Sequence, residues 1–177
     1  MTAPMPFSRR HFLGGGLAAA AALSMPVPAF AGQSYRINMI NAHTDEKFNH
    51  CVVENGRWVS EALSQFDWFA RDWRREETYP MDTDALQVLI RLQAELETAE
   101  PFRLLSGYRT PQTNSSLRGA ATNSLHLRGK ALDITHPSRS TRQIQRAAVA
   151  MKAGGVGYYP SNHFVHIDSG RVRYWQG

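Results

Sequence analysis

The chain has 177 residues, a formal charge of +5 and a single cysteine. That length suits one compact domain with its own core, and a lone Cys51 excludes an internal disulfide. The lysines and arginines are dispersed without a recognition motif, which argues against nucleic acid as a partner; a modest positive charge is compatible with an anionic polymer.

In chain order, Ser8-Arg9-Arg10-His11-Phe12-Leu13-Gly14 has the form of a twin-arginine start. An apolar run follows from Gly15 to Leu23, too short for a permanent membrane span, and Ala29-Phe30-Ala31 has the small-x-small form of a cleavage site. Residues 1–31 are therefore expected to be a signal peptide read by the twin-arginine translocation machinery and cleaved after Ala31. The mature domain, residues 32–177, would then be periplasmic, with no stable membrane anchor. Its charge is lower by Arg9 and Arg10. Twin-arginine export would carry a folded chain.

Residues 37–53 read as strand, turn and strand, and Asn55-Gly56 supplies a tight hairpin turn before Arg57-Trp58-Val59. Cys51 falls in this stretch and reads as a small buried hydrophobe. A helix is predicted from Ser60, with Leu63, Phe66, Trp68, Phe69 and Trp73 near helical spacing on a core-facing stripe. Asp82 or Thr83 caps a second helix running to about Thr98, and Pro101 precedes a strand from Phe102. A loop-rich centre holds a short helix around residues 115–117, and Ala131-Leu132-Asp133-Ile134 has strand character. Ser140 caps a further helix that Gly154-Gly155 closes. Residues 156–159, 164–168 and 172–175 complete the pattern as three short strands. The order predicts one α+β domain with a small antiparallel sheet flanked by helices.

The chemistry-bearing residues cluster late. His126 and Asp133 are separated by a turn that Gly129 permits, and His166 follows on a strand. Two neutral imidazoles and a carboxylate would make a three-ligand zinc site with its fourth position free, the catalytic rather than structural arrangement. If His166 faces that site, alternation sends Val165 to the other face and puts Phe164 and Asp168 on the same side. Asp168 would then hydrogen-bond a ligand histidine and fix its tautomer. Ser124 is placed to cap or support His126. His11, His43 and His50 lack motif context, and Pro137 turns the chain away after His136. No Gly-x-Ser-x-Gly elbow points to a serine hydrolase.

The pattern Ser124-x-His126-x-x-Gly129-x-Ala131-x-Asp133 followed by a strand histidine resembles the zinc D-Ala-D-Ala peptidase superfamily, which also holds lysostaphin-type enzymes and hedgehog domains. Ser106-Gly107-Tyr108-Arg109, Thr113-Asn114, residues 154–160, Phe164-Val165-His166-Ile167-Asp168 and Arg173-Tyr174-Trp175 resemble, more narrowly, murein endopeptidases of the MepK (YcbK) type. That resemblance implies Zn2+ on His126, Asp133 and His166. It also implies hydrolysis of peptidoglycan peptide cross-links, diaminopimelate–diaminopimelate bonds foremost and D-Ala–diaminopimelate bonds as a related target. Arg109 would bind a substrate carboxylate or steady the oxyanion. His163, three residues before the last ligand, stands where the wider superfamily often carries its general base. Two rivals are a metal-binding, non-hydrolytic cell-wall module and a D-Ala-D-Ala carboxypeptidase. The first turns on whether a titratable group reaches the site, the second on the shape of the cleft.

Overall fold

Residues 32–177 are described by a computed structural model. The expected signal peptide and its cleavage point lie outside the described residues. Strands β1 (Tyr35–Asn41) and β2 (Lys47–Glu54) pair antiparallel, and β3 (Arg57–Trp58) folds back through Asn55 and Gly56. Both turn residues have positive φ, 50° and 76°, as a two-residue hairpin with right-handed twist requires. Helix α1 (Ser60–Phe69) buries Ala62, Phe66 and Phe69 and ends at Ala70. The predicted stripe through Trp73 therefore stops short. Trp68 is 49% exposed and carries the Arg71 guanidinium on its ring instead of joining the core.

Helix α2 (Thr83–Glu95) starts where Asp82 accepts the N–H groups of Asp84 and Ala85, and it ends before Thr98. Strand β4 (Phe102–Ser106) leads to α3 (Pro111–Ser116), which begins earlier than its composition suggests because Thr110 caps it and Pro111 presets its first turn. Strand β5 (Ala131–Thr135) precedes α4 (Thr141–Met151), whose start is the reciprocal Ser140/Gln143 capping box. Lys152, at φ 49°, ends α4, so Gly154-Gly155 is not its cap. Strands β6 (Gly155–Tyr159), β7 (Phe164–Asp168) and β8 (Arg173–Gln176) follow.

All eight strands form one sheet in the order β3-β2-β1-β4-β5-β7-β6-β8. The domain is α+β as expected, but the sheet is neither small nor purely antiparallel. β1 pairs parallel with β4, and β6 with β8. A parallel neighbour needs a long crossover, here carried by α1 and α2 between β1 and β4, and so leaves no short turn signal to read. Leu132, Ile134, Val165 and Ile167 alternate with the polar residues of β5 and β7 and join one hydrophobic cluster with Leu86, Leu89, Ile144 and Ala148. Helix α2 packs on α4, and both pack on β7. The core thus takes one face of the central strands, and their other face is left for polar side chains.

Candidate metal centre

Sheet register assembles that polar face. Ser106 on β4 pairs with Asp133 on β5, Asp133 with His166 on β7, His166 with Gly157 on β6, and Gly157 with Trp175 on β8. One row of side chains thus crosses five strands. A second row sets Asp168 beside Gly155 and Gly155 beside Arg173. Gly155 and Gly157 leave room for this arrangement. A Cβ on Gly157 would stand 2.6 Å from the Trp175 ring, and one on Gly155 would collide with Asp168 and Arg173. With that space free, the Trp175 ring reaches to 5.3 Å from the His166 ring.

His126 enters from outside the strands, on the single 3₁₀ turn Leu125–Arg128. The Ser124 hydroxyl accepts the His126 N–H, and Gly129 at φ 64° turns the chain into β5, as the sequence predicts. Nδ1–H of His126 donates to the Gly107 carbonyl over 2.6 Å, which turns Nε2 inward. His166 has the opposite orientation. Its Nε2–H donates to Asp168 over 3.0 Å, and Nδ1 faces the centre. Arg173 holds both oxygens of Asp168, at 2.7 and 3.0 Å, and the Gly155 and Gly170 N–H groups complete its coordination. Asp168 thus occupies the supporting position that strand alternation assigns to it.

Three acceptor atoms converge. His126 Nε2, Asp133 Oδ1 and His166 Nδ1 stand 3.2, 3.1 and 2.9 Å apart, on residues that are all buried. Tetrahedral ligands about 2.0–2.1 Å from a zinc ion lie ~3.3 Å from one another, so the donor set and its spacing fit that ion closely. Both outer ring nitrogens already donate elsewhere, so the inner face presents lone pairs and a carboxylate oxygen that only a cation can reconcile. The electrostatics agree. Burial opposes ionisation of Asp133, but the facing imidazoles hold its carboxyl well below the usual range. Burial likewise pushes His126 down toward the neutral form that ligates. For metal-free His166, burial is outweighed by Asp133 and Asp168, and its pKa is raised.

The donors lie at the floor of a cleft of about 800 Å³ that is also lined by Arg74, Arg109, Arg118, Tyr159, Phe164 and Trp175. Arg109 Nε–H donates to Ser106, and Nη2 is salt-bridged to the outer oxygen of Asp133. Its first contact is thus with a ligand residue. His163 is not brought into the cleft. It sits at φ 57° at the end of the turn Pro160–Asn162, exposed, and Asn162 lines the wall there. His136 is buried elsewhere, against Thr98 and the Glu100 carbonyl. Cys51 is half-buried rather than buried. The sequence reading gave no role to Arg173, Trp175 or Gly157. Arg173 and Trp175 stand opposite Gly155 and Gly157 only through the parallel pairing of β8 with β6, for which the sequence carries no local signal.

A three-donor centre at the floor of such a cleft is the arrangement of a metal-dependent hydrolase. Residues 29–175 match the family described as Peptidoglycan L,D-endopeptidase MepK, and the chain belongs to that family. It is 38% identical over 177 residues to peptidoglycan L,D-endopeptidase MepK of Escherichia coli (strain K12), covering 95% of this chain and 97% of the relative. It is 36% identical over 121 residues to the probable peptidoglycan L,D-endopeptidase MepK of Haemophilus influenzae, covering 65% and 64%. Residues 6–26 match a twin-arginine translocation signal sequence, which marks the chain for export. No helix among the described residues is long and apolar enough to cross a membrane.

Proposed function

We propose that this chain is a zinc-dependent peptidoglycan L,D-endopeptidase that acts in the periplasm as residues 32–177, after removal of the signal peptide, and cuts diaminopimelate–diaminopimelate cross-links. The observation that carries this reading is the convergence of His126 Nε2, Asp133 Oδ1 and His166 Nδ1 at the floor of the cleft. Bound there, zinc would supply Lewis acidity to the scissile carbonyl and lower the pKa of a water toward ~7. Asp168 holds His166 in the tautomer that ligates through Nδ1, and the Gly107 carbonyl does the same for Nε2 of His126. Arg109 steadies Asp133, and its Nη1, with no partner among the described residues, is the donor proposed to face a developing oxyanion.

Digestion of purified cross-linked muropeptides by residues 32–177, read by mass spectrometry, tests the whole proposal. Zinc-dependent conversion of dimers to monomers is expected, with free diaminopimelate termini among the products. Protein that holds zinc and leaves every dimer intact would overturn it.

His163 is the proposed proton acceptor, and to serve it must swing its exposed ring inward across Asn162 when substrate binds. A general base of this kind contributes about 10²–10⁴-fold to kcat. His163→Ala is therefore expected to lower kcat by about a hundredfold or more with KM unchanged. A loss of less than about threefold would remove His163 from the mechanism and leave it the exposed turn residue that its placement shows.

A further inference from the structure

Four arginines line the cleft, and two of them are already paired. Arg109 is bound to Asp133 and Arg173 to Asp168. Arg74 and Arg118 have no carboxylate partner among the described residues. Arg74 is held in place. Its guanidinium lies 4.2 Å from the centre of the Trp73 ring, and that ring stacks at 4.4 Å on His43, whose Nε2–H donates to the Leu105 carbonyl at the end of β4. Its backbone is tied to the Arg109 loop through one buried carboxylate. Asp72 Oδ1 accepts the Arg74 N–H, and Oδ2 accepts the N–H and hydroxyl of Thr110. An arginine so stacked and anchored loses little freedom when it takes up an anion.

We propose that Arg74, with Arg118 on the loop after α3, forms a carboxylate subsite that reads the free carboxyl group beside the cross-linking amide. This inference rests on the substrate reading given above. In a diaminopimelate–diaminopimelate cross-link the amide nitrogen is bonded to a carbon that also bears a free carboxylate. A negative charge therefore enters the cleft within a few bonds of the scissile carbonyl. Asp133 is the one carboxylate among the lining residues and would repel that charge; Arg173 is engaged with Asp168, and the open Nη1 of Arg109 is assigned above to the oxyanion. Arg74 and Arg118 supply the compensating donors, and a planar guanidinium matches a carboxylate with two parallel hydrogen bonds.

The test titrates two ligands into chelated protein, so that neither is cut. One is the diaminopimelate-linked muropeptide dimer; the other is the same dimer with that carboxyl amidated. Wild type is expected to bind the carboxylate form about tenfold more tightly, the loss typical of one charge-assisted pair. Arg74→Gln should bind both forms alike, and Arg118→Gln should lose part of the preference. Equal wild-type affinity for the two forms, or a full preference kept by Arg74→Gln, would overturn the subsite. Turnover by zinc-loaded wild type is read separately. A dimer bound with the preference and left uncut would sink the hydrolase reading while the subsite stood.

Discussion

His166→Ala is expected to yield a folded protein without stoichiometric zinc, with cross-link cleavage lowered by at least about a thousandfold, because the substitution removes one of the three donors that converge among the described residues. Chelation of the wild-type protein should give the same loss and, unlike the substitution, be reversed by added zinc. Metal content by mass spectrometry and muropeptide cleavage check the two halves together. One equivalent of zinc with near-normal activity in the variant would place the ion elsewhere. The same site predicts a pH dependence. In metal-free protein the His166 pKa is raised by Asp133 and Asp168, so protons compete with zinc above the ordinary imidazole range. Apparent zinc affinity should therefore climb steadily as pH rises through neutrality, and a flat profile would contradict the assignment of His166 Nδ1 as a donor.

The second large effect is expected at Asp168, which touches no metal. Asp168→Asn removes the charge that holds His166 Nε2–H and the Arg173 fork. Loss of such a support typically weakens metal binding 10–100-fold, and that is the change expected in zinc competition titrations. Stability should fall too. Asp168 is fully buried while Arg173 is partly exposed, which sets the cost at the lower end of the range for a broken buried pair, about 3 kcal/mol. Burial opposes the Asp168 charge, but His166, Arg173 and the Gly170 N–H hold its pKa well below the usual range. Its contribution is therefore complete above the unfolded-state pKa near ~4 and fades only as strong acid titrates the folded carboxyl. Urea unfolding at neutral pH, with the zinc titration beside it, separates the two roles. Unchanged zinc affinity in a destabilised variant would make Asp168 a purely structural residue.

Much of this centre is legible in the sequence because its parts are local. Ser124, His126, Gly129 and Asp133 lie within ten residues, and the chemistry of each fixes its part: a cap, a donor, a left-handed turn, a strand carboxylate. Asp168 follows from His166 by strand alternation alone. What does not follow is anything set by sheet order. Nothing near Trp175 announces that β8 will lie parallel to β6, so neither its ring over His166 nor the Arg173 fork on Asp168 can be read in advance. Gly154-Gly155-Val156-Gly157 looks like a helix stop followed by a strand, whereas Gly155 and Gly157 clear space for side chains from two neighbouring strands. Trp73 fails for a different reason. Helical spacing identifies a stripe but cannot say where the helix ends, and α1 ends before the stripe does. For His163, position relative to the last ligand says nothing about a residue in a left-handed turn, where strand alternation does not apply.

Because Asp133 and His166 are partners across β5 and β7, the spacing of these two donor atoms is the spacing of a strand pair. A slip of one residue between those strands would turn one donor into the core and bring Ile134 or Val165 out in its place. There is no intermediate geometry in which two donors meet at a slightly wrong distance. A misregistered chain is therefore inert, not sluggish or promiscuous. For a hydrolase aimed at the polymer that bears a cell's turgor, that all-or-none coupling is a safeguard built into the pleat itself.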